Sequence, residues 1–247
     1  MCTVIILRRP GHPWPLLLAA NRDERLDRAW DPPAAHWPER PGLVAGRDRS
    51  AGGTWMGMQG GLVAAVLNRP GSLGPAPGKR SRGELPLIAL EAGSAARAAA
   101  AVGALDAGAW RPFNMVLADA EAAFFLRGLG AGRAEALPLG PGVSMVTAHE
   151  PNDLTSPRIR RHLPRFRAAP PPDPARGDWA TWEALLADGD TAEGGIGAAL
   201  NVPPVEGFGT ACASLVALGA TGALIWRFCA GPPALGGFGA IALGEDA

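Results

Sequence analysis

Apolar runs separated by turn residues predict two β-hairpins early in the chain. The first pairs two apolar runs across a turn rich in proline and glycine, and the polar tetrad Asn-Arg-Asp-Glu at residues 21–24 ends its second strand. The segment between the hairpins, residues 25–52, is rich in Pro, Arg and Asp, which predicts an irregular and mostly exposed loop. The predicted hairpin strands are residues 2–7, 15–20, 53–58 and 61–68.

Helical periodicity and strand-like runs then alternate in blocks along the rest of the chain. The predicted helices are residues 83–92, 94–105 (with Ser94 as N-cap), 156–167 and 178–188, and the predicted strands are 112–118, 122–127, 143–147, 210–218 and 222–229. This order differs from the strict alternation of a doubly wound parallel sheet. We therefore predict an α+β fold of antiparallel sheets covered by helices. Because no repeat or linker divides the chain, we predict a single domain over residues 1–247.

Composition and charge exclude some classes of protein. Lys and Arg number 23, as do Asp and Glu, so the net charge of zero argues against a broad basic face for nucleic acid. The hydrophobic fraction of 47% can supply a sizeable core. Ala, Gly, Pro and Arg are abundant, whereas Lys79 is the only lysine and tyrosine is absent. Because this bias explains most of the abundant residues, Cys, Asn, His and Trp are the informative ones.

The distribution of apolar and cysteine residues also bears on compartment. There is no run of 18 apolar residues and no charged segment before the first apolar run, so we expect neither a membrane span nor a secretory signal. The three cysteines show no CxxC spacing, which argues against a disulfide scaffold or a zinc knuckle. We expect a cytoplasmic protein with reduced thiols.

Cys2 is the most informative single residue. Removal of the initiator Met is favoured before a small side chain, and it would place a thiol and a free α-amine on one residue. An amine with a pKa of about 7.7–8.0 can act as general base for a thiol with a pKa of about 8.5. The alternative is that Cys2 is simply a small apolar residue that opens a buried strand.

The tetrad at residues 21–24 should converge on Cys2, because the end of the second hairpin strand lies near the start of the first. Asp23 could orient the amine, and Arg22 could lower the thiol pKa through its fixed charge. Adjacent strand residues face opposite sides, so both can reach Cys2 only if the strand turns or bulges. The alternative is a solvated turn at the end of a strand.

Asn68 ends the second hairpin and could donate its amide N–H groups to a developing oxyanion. The alternative is that it caps the turn before Pro70. Thr54 and Trp55 lie on the same hairpin and would wall a pocket, although Trp55 could equally belong to the core.

Six short blocks together resemble a known family, the NRDE family, which is also called the transport and Golgi organisation protein 2 family. The resemblance extends over essentially the whole chain. The blocks are Met1-Cys2-Thr3, Asn21-Arg22-Asp23-Glu24, Gly53-Thr54-Trp55-Met56-Gly57, Val66-Leu67-Asn68-Arg69, Phe113-Asn114-Met115-Val116-Leu117-Ala118-Asp119 and Phe208-Gly209-Thr210.

The resemblance implies an N-terminal-nucleophile hydrolase fold, a four-layer αββα sandwich related to the choloylglycine and penicillin V acylases. It implies that Cys2 is the nucleophile, that Arg22 and Asp23 line the site, and that Asn68 is the oxyanion asparagine. Family members are connected with secretory organisation, lipid metabolism and haem trafficking. The ligand-binding residues that we predict at the same site are Asn21, Thr54, Trp55, Asn114 and His149.

The chain also departs from the acylase pattern. The acylases separate their Arg and Asp by two residues, whereas Arg22 and Asp23 are adjacent. A second active-site Asn would fall near residues 147–150, but the first Asn available is Asn152. Many family members carry Arg after the Gly-Thr pair, and here Ala211 follows it.

Other candidate chemistry is weak. No motif with metal-ligand, haem-attachment or nucleotide-binding spacing occurs, so we predict no metal site and no required cofactor. A basic face is predicted on the third helix, most simply as a solvated surface and alternatively as a clamp for an anionic ligand. Its members are Arg158, Arg160, Arg161, Arg165 and Arg167.

Two classes of function fit these residues. The first is an N-terminal-nucleophile cysteine amidohydrolase in which Cys2 cleaves an amide. The second is a binding or trafficking protein that carries haem or an acyl or lipid-type ligand in the same pocket without catalysis. Cys2 favours the first class, and the absence of an Arg at 211 and of an Asn at 147–150 favours the second.

Overall fold

The computed structural model describes residues 2–192 and 194–243. They form two compact units. The terminal unit comprises residues up to 28 together with residues 141–241, and the central unit comprises residues 29–140 with the described residues 242 and 243.

The elements follow one another in this order: β1 (Thr3–Arg8), β2 (Leu16–Arg25), β3 (Trp30–Ala34), β4 (Val44–Asp48), β5 (Met56–Gln59), β6 (Leu62–Asn68), α1 (Glu84–Leu90), α2 (Ala95–Gly103), β7 (Phe113–Ala118), β8 (Ala123–Gly128), β9 (Glu135–Pro138), β10 (Gly142–Val146), α3 (Pro157–Ala168), α4 (Ala180–Leu186), β11 (Phe208–Leu218), β12 (Leu224–Cys229) and β13 (Gly239–Ala240). Short 3-10 turns lie at Ala107–Ala109, Pro174–Arg176 and Gly195–Gly197.

The terminal unit is an antiparallel sheet with strand order β10-β1-β2-β11-β12-β13. Strands β1 and β2 form the predicted hairpin, and Thr3 pairs with Asn21 at its open end. Alternate residues of these strands, including Ile5 and Leu17, pack with helices α3 and α4 in one apolar core. One face of this sheet is therefore the helix-facing side, and Thr3 and Asn21 belong to it by strand alternation.

Helix α3 is positioned by local signals and by its buried face. The Ser156 side chain accepts from the backbone N–H at Ile159, and Pro157 occupies the first turn. The buried positions recur at helical spacing and include His162 and Phe166. The Phe166 ring meets the Trp182 ring of α4 edge to face, with centroids 5.3 Å apart.

The central unit is an antiparallel sheet with strand order β3-β4-β5-β6-β7-β8-β9, and α1 and α2 pack with it in a second apolar core. Ser94 caps α2 as predicted, since its side chain accepts from the N–H of Arg97. The Asp119 carboxylate accepts a second N–H of this helix terminus, from Ala95 at 2.7 Å.

The structure corrects the prediction that residues 25–52 form an irregular loop. This segment contains strands β3 and β4, which form one edge of the central sheet. Pro32 and Pro33 lie in the edge strand β3, where a missing N–H is tolerated, so their presence concealed the strand. Strand β9 was missed as well, because its four residues are all exposed and show no apolar alternation.

The predicted fold class is confirmed: the protein is α+β, with two antiparallel sheets and helices packed on each. The prediction of a single domain over residues 1–247 stays a prediction. Within residues 2–192 and 194–243, no helix has both the length and the apolar character needed to cross a bilayer.

His162 gives the terminal unit a pH-dependent stability. Its ring is fully buried, and Nε2 lies 2.8 Å from the carbonyl oxygen of Ala198, which can only accept. Burial lowers the pKa of His162 from 6.5 to about 4, and the nearby charge of Arg165 acts in the same direction. The folded protein therefore binds this proton less readily than the unfolded chain.

We predict that the free energy of unfolding falls as the pH drops from about 6.5 to about 4, by up to about 1.4 kcal/mol per pH unit from this group. His162→Gln retains a donor for the Ala198 carbonyl and should flatten that slope. Urea unfolding at several pH values measures it, with His12→Gln on an exposed turn as the control. Equal slopes for wild type and His162→Gln would contradict the prediction.

Candidate active site

Cys2 lies immediately before β1 and is half-buried. Its thiol donates to the backbone carbonyl oxygen of Asp23, at an Sγ–O distance of 3.5 Å. The pairing of Thr3 with Asn21 brings the start of β1 to the tetrad at the end of β2. The hairpin therefore holds Cys2 next to Arg22 and Asp23.

Strand alternation divides the tetrad between the two faces of the sheet. Asn21 and Asp23 lie on the helix-facing side, where their side chains bond to residues of the helical layer. Arg22 points to the opposite face, is 6% exposed and is paired in register with Cys212 of β11. Cys2, one residue before Thr3, shares that opposite face. No turn or bulge in β2 is needed for Arg22 to lie beside Cys2.

The Asp23 carboxylate is fully buried on the helix-facing side. Its Oδ2 lies 2.8 Å from Nη1 of Arg158, and its Oδ1 accepts from the Thr210 hydroxyl at 2.7 Å. The same Arg158 nitrogen donates to the Thr3 hydroxyl at 3.0 Å. We predicted that this carboxylate orients the amine of Cys2. The structure shows that it is bonded to side chains of α3 and β11, so the amine role stays a prediction.

A β-bulge explains how Thr210 reaches this carboxylate. Thr210 pairs with Asp23 and Cys212 with Arg22, so Ala211 is an extra residue in β11. The Thr210 hydroxyl also accepts from the backbone N–H of Val202 at 2.8 Å. Ala211, where many family members carry Arg, therefore occupies the bulge and is buried.

Asn21 fastens a distant segment to the same strand. Its side-chain nitrogen donates to the carbonyl oxygens of Leu186 and Leu200, each at 3.0 Å. These carbonyls lie at the end of α4 and shortly before β11. Both N–H hydrogens of the Asn21 amide are therefore bonded within the protein. The predicted contact of Asn21 with a ligand would use its side-chain oxygen.

The surroundings of Cys2 favour the neutral thiol. Burial raises the pKa of the Cys2 thiol, and the negative charge of Asp23 acts in the same direction. The positive charges of the amino terminus and of Arg22 oppose this increase in the pKa. Deprotonation of this thiol at neutral pH therefore calls for a base beside it.

His149 and Asn152 follow β10. His149 is half-buried, and its Nδ1 lies 3.8 Å from the carboxylate of Asp153. Asn152 has a positive φ of 60° and binds the backbone of Met145 through its side-chain oxygen at 2.8 Å. The amide oxygen of Asn152 thus holds a turn in place, and the ligand role of His149 stays a prediction.

Thr54 and Trp55 lie in the central unit before β5. The Thr54 hydroxyl donates to the carbonyl oxygen of Met56 and accepts from its N–H, so it holds its own backbone. The Trp55 ring lies against Gly46 of β4 and meets the Trp30 ring edge to face at 5.7 Å. The structure thus places Trp55 as half-buried rather than core.

Asn68 and Asn114 lie on neighbouring strands of the central unit. Asn68 is half-buried at the end of β6, where it pairs with Phe113. Asn114 is fully buried, and its side-chain oxygen accepts from Arg69 at 2.6 Å. Thr54, Trp55, Asn68 and Asn114 all belong to the central unit, whereas Cys2 belongs to the terminal unit. The convergence of the two sets therefore stays a prediction.

Sequence reasoning missed the most deeply buried charged contact of Cys2's neighbourhood. We assigned Arg158 to the basic face of α3, but it is only 1% exposed, whereas Arg160 and Arg165 are exposed. A usable signal existed, because Arg158 precedes His162 by four residues and therefore shares its buried face. The abundance of arginine in this chain hid that signal. Within residues 2–192 and 194–243, no cluster of His, Cys, Asp or Glu could hold a metal ion.

Comparison with known proteins defines the class and then the family. An N-acylethanolamine-hydrolyzing acid amidase ortholog from Caenorhabditis elegans is structurally similar, with a TM-score of 0.56, 11% sequence identity, and coverage of 87% of this chain and 92% of that one. The protein therefore has the fold of the N-terminal-nucleophile hydrolases. Residues 1–162 match the family Transport and Golgi organisation 2, and the chain belongs to that family. No curated protein matches it in sequence.

We predict that Thr210→Val destabilises the protein by about 1–3 kcal/mol, because it removes hydrogen bonds to Asp23 and Val202 in a buried place. Urea unfolding measures the loss. Thr221→Val, on an exposed turn, is the matched control and should change stability little. Equal losses in the two variants would argue against a structural role for the Thr210 hydroxyl.

We predict that Gly46→Ala displaces the Trp55 ring, because an added Cβ would lie 2.3 Å from two of its ring atoms. Relief of such an overlap costs about 1–3 kcal/mol, which urea unfolding will show. Gly140→Ala is the control, since nothing lies within 4 Å of its added Cβ. If Gly46→Ala is as stable as the control, the close contact between β4 and Trp55 is wrong.

Proposed function

We propose that the protein is an N-terminal-nucleophile cysteine amidohydrolase in which Met1 is removed and Cys2 attacks an amide carbonyl. The observation that carries this proposal is the placement of the thiol, half-buried at the start of β1 beside Arg22 and bonded to the backbone of Asp23. The amide hydrolysis named for the structurally similar C. elegans protein supports the reaction class.

The raised pKa of the Cys2 thiol gives the amine its role. Once Met1 is removed, the α-amine of Cys2 takes the thiol proton as the sulfur bonds to the substrate carbonyl. The fixed charge of Arg22 favours the thiolate, which it already stabilises electrostatically. Asn68 is the oxyanion donor that the family resemblance implies.

The remaining steps follow from the covalent intermediate. Collapse of the tetrahedral intermediate breaks the C–N bond, and the ammonium returns its proton to the leaving amine. The acyl group is then a thioester on Sγ of Cys2. Water, deprotonated by the same amine, adds to the thioester carbonyl, and the thiol leaves with the acid product released.

A second candidate is a protein that binds or hands on haem or an acyl or lipid-type ligand without catalysis. Two observations favour it. The Asn152 amide oxygen is bound to the Met145 backbone, and Ala211, where the family resemblance implies an Arg in many members, is a buried bulge residue. A site with fewer substrate-orienting groups is better suited to binding than to turnover.

We also propose that the protein acts in the cytoplasm. Within the described part of the chain, Cys2, Cys212 and Cys229 are free thiols. A reducing compartment keeps such thiols reduced.

We predict that an acyl-type electrophile labels residue 2 in protein lacking Met1, because the thiol and its adjacent amine act together. Intact mass confirms the loss of Met1, and peptide mass spectrometry locates the adduct. Cys2→Ser should label far more slowly, and Cys2→Ala should not label at residue 2. Cys212→Ala should label as wild type does, because Cys212 is buried and burial raises the pKa of its thiol.

The outcome that overturns the amidohydrolase proposal is a Met-free preparation with no adduct at residue 2. In that case titration with haem separates the ligands of the second candidate. A saturable shift of the Soret band supports haem, and an unchanged spectrum removes haem and leaves acyl-type ligands.

A further inference from the structure

Arg158 of α3 bonds to both strand ends of the hairpin that hold Cys2, the start of β1 and the end of β2. It lies in the first turn of α3 and is 1% exposed. A single guanidinium nitrogen, Nη1, bonds to Thr3 of β1 at 3.0 Å and to Asp23 of β2 at 2.8 Å. A buried arginine of this kind persists only where its charge is matched.

Thr3 and Asp23, to which Arg158 bonds, are also residues whose backbones hold Cys2. Thr3 is joined to Cys2 by a peptide bond, and the Asp23 carbonyl accepts the Cys2 thiol at 3.5 Å. A displacement of Thr3 or Asp23 is therefore passed to the backbone to which the thiol is attached or bonded. Arg158 thus acts on Cys2 through two short routes, although its own side chain lies on the other face of the sheet.

Charge gives a third route. Among the described side chains, Arg22 and Asp23 act electrostatically on Cys2. Arg22 lies 3.6 Å from the carboxylate of Glu24, and Cys212 contributes a thiol from β11. Among these charges the Asp23 carboxylate raises the thiol pKa, and Arg158 is the cation that pairs with it.

We propose that Arg158 is a positioning residue for Cys2, which fixes the thiol through Thr3 and Asp23 and compensates the Asp23 charge beside it. This inference rests on the proposed function, because the purpose of Arg158 follows from the role of Cys2 as a nucleophile. A nucleophile needs a fixed position, and the negative charge of the neighbouring Asp23 needs to be compensated. The hydrogen bonds of Arg158 to Thr3 and Asp23 make it a residue that acts on the thiol through others. Its effect is therefore visible in the thiol itself, before any substrate is present.

The test is the rate of alkylation of Cys2 by iodoacetamide as a function of pH, followed by peptide mass spectrometry in Met-free protein. Arg158→Met leaves the Asp23 charge uncompensated, so the midpoint of the profile should rise by about one pKa unit, an about tenfold loss of thiolate at neutral pH. Arg158→Lys keeps the charge and should recover the wild-type midpoint. Arg160→Met, on the exposed face of the same helix, should match wild type.

A double variant that lacks both buried charges, called the neutral pair, allows the test even if Arg158→Met does not fold. Asp23→Asn with Arg158→Met removes both buried charges, so it should fold even if Arg158→Met alone does not. The midpoint should then return toward wild type, whereas the limiting rate at high pH should stay several-fold lower because the clamp on Thr3 and Asp23 is lost. The inference is overturned if Arg158→Met and the neutral pair are less stable than wild type but keep its midpoint and its limiting rate.

Failure of this inference differs from failure of the proposed function. A Cys2 that alkylates with the expected Arg158 dependence, but is never acylated, overturns the amidohydrolase and leaves Arg158 as a positioning residue. A Cys2 that is acylated equally well in every Arg158 variant overturns the inference and leaves the enzyme. A Cys2 that alkylates at no pH overturns both.

Discussion

The ion pair between Arg158 and Asp23 is the constraint on which the rest of the terminal unit depends. Two charges removed from water are costly, and here Thr3 accepts a further hydrogen bond from Arg158 while Thr210 donates one to Asp23. Arg158, Asp23, Thr3 and Thr210 thus connect α3, β2, β1 and β11 through hydrogen bonds. Removal of one partner of such a pair typically costs about 3–5 kcal/mol, so these four elements keep a fixed relation to one another.

Because side chains alternate between the two faces of a β-strand, the tetrad at residues 21–24 has structural side chains on one face and a charged side chain near the thiol on the other. Asn21 and Asp23 bind the helical layer, whereas Arg22 between them points to the face of Cys2 and Cys212. The tetrad therefore holds the strand from one side and places a fixed positive charge beside the thiol on the other. This division also explains how Arg22 and Asp23 both act on Cys2: Arg22 acts through the charge of its side chain, and Asp23 acts through its backbone carbonyl as well as the charge of its carboxylate.

Sequence patterns predicted the elements with long apolar runs and missed the short strands β3, β4 and β9. The β1–β2 hairpin and α3 were predictable because their apolar periodicity and caps agree. The edge strands β3 and β9 were not, because prolines and exposed residues leave no alternation. Cys2 and the tetrad were found from their unusual chemistry. Arg158 was missed because burial of an arginine depends on a partner 135 residues away in the chain.

The most direct test of this account is a double-mutant cycle between Asp23→Asn and Arg158→Met, followed by urea unfolding. If the ion pair fastens α3 to the strand ends beside Cys2, each single variant loses stability and the pair together loses much less than the sum. The expected coupling free energy is at least about 1 kcal/mol. Single losses that add to within about 0.3–0.5 kcal/mol would contradict the account, because independent residues behave in that way.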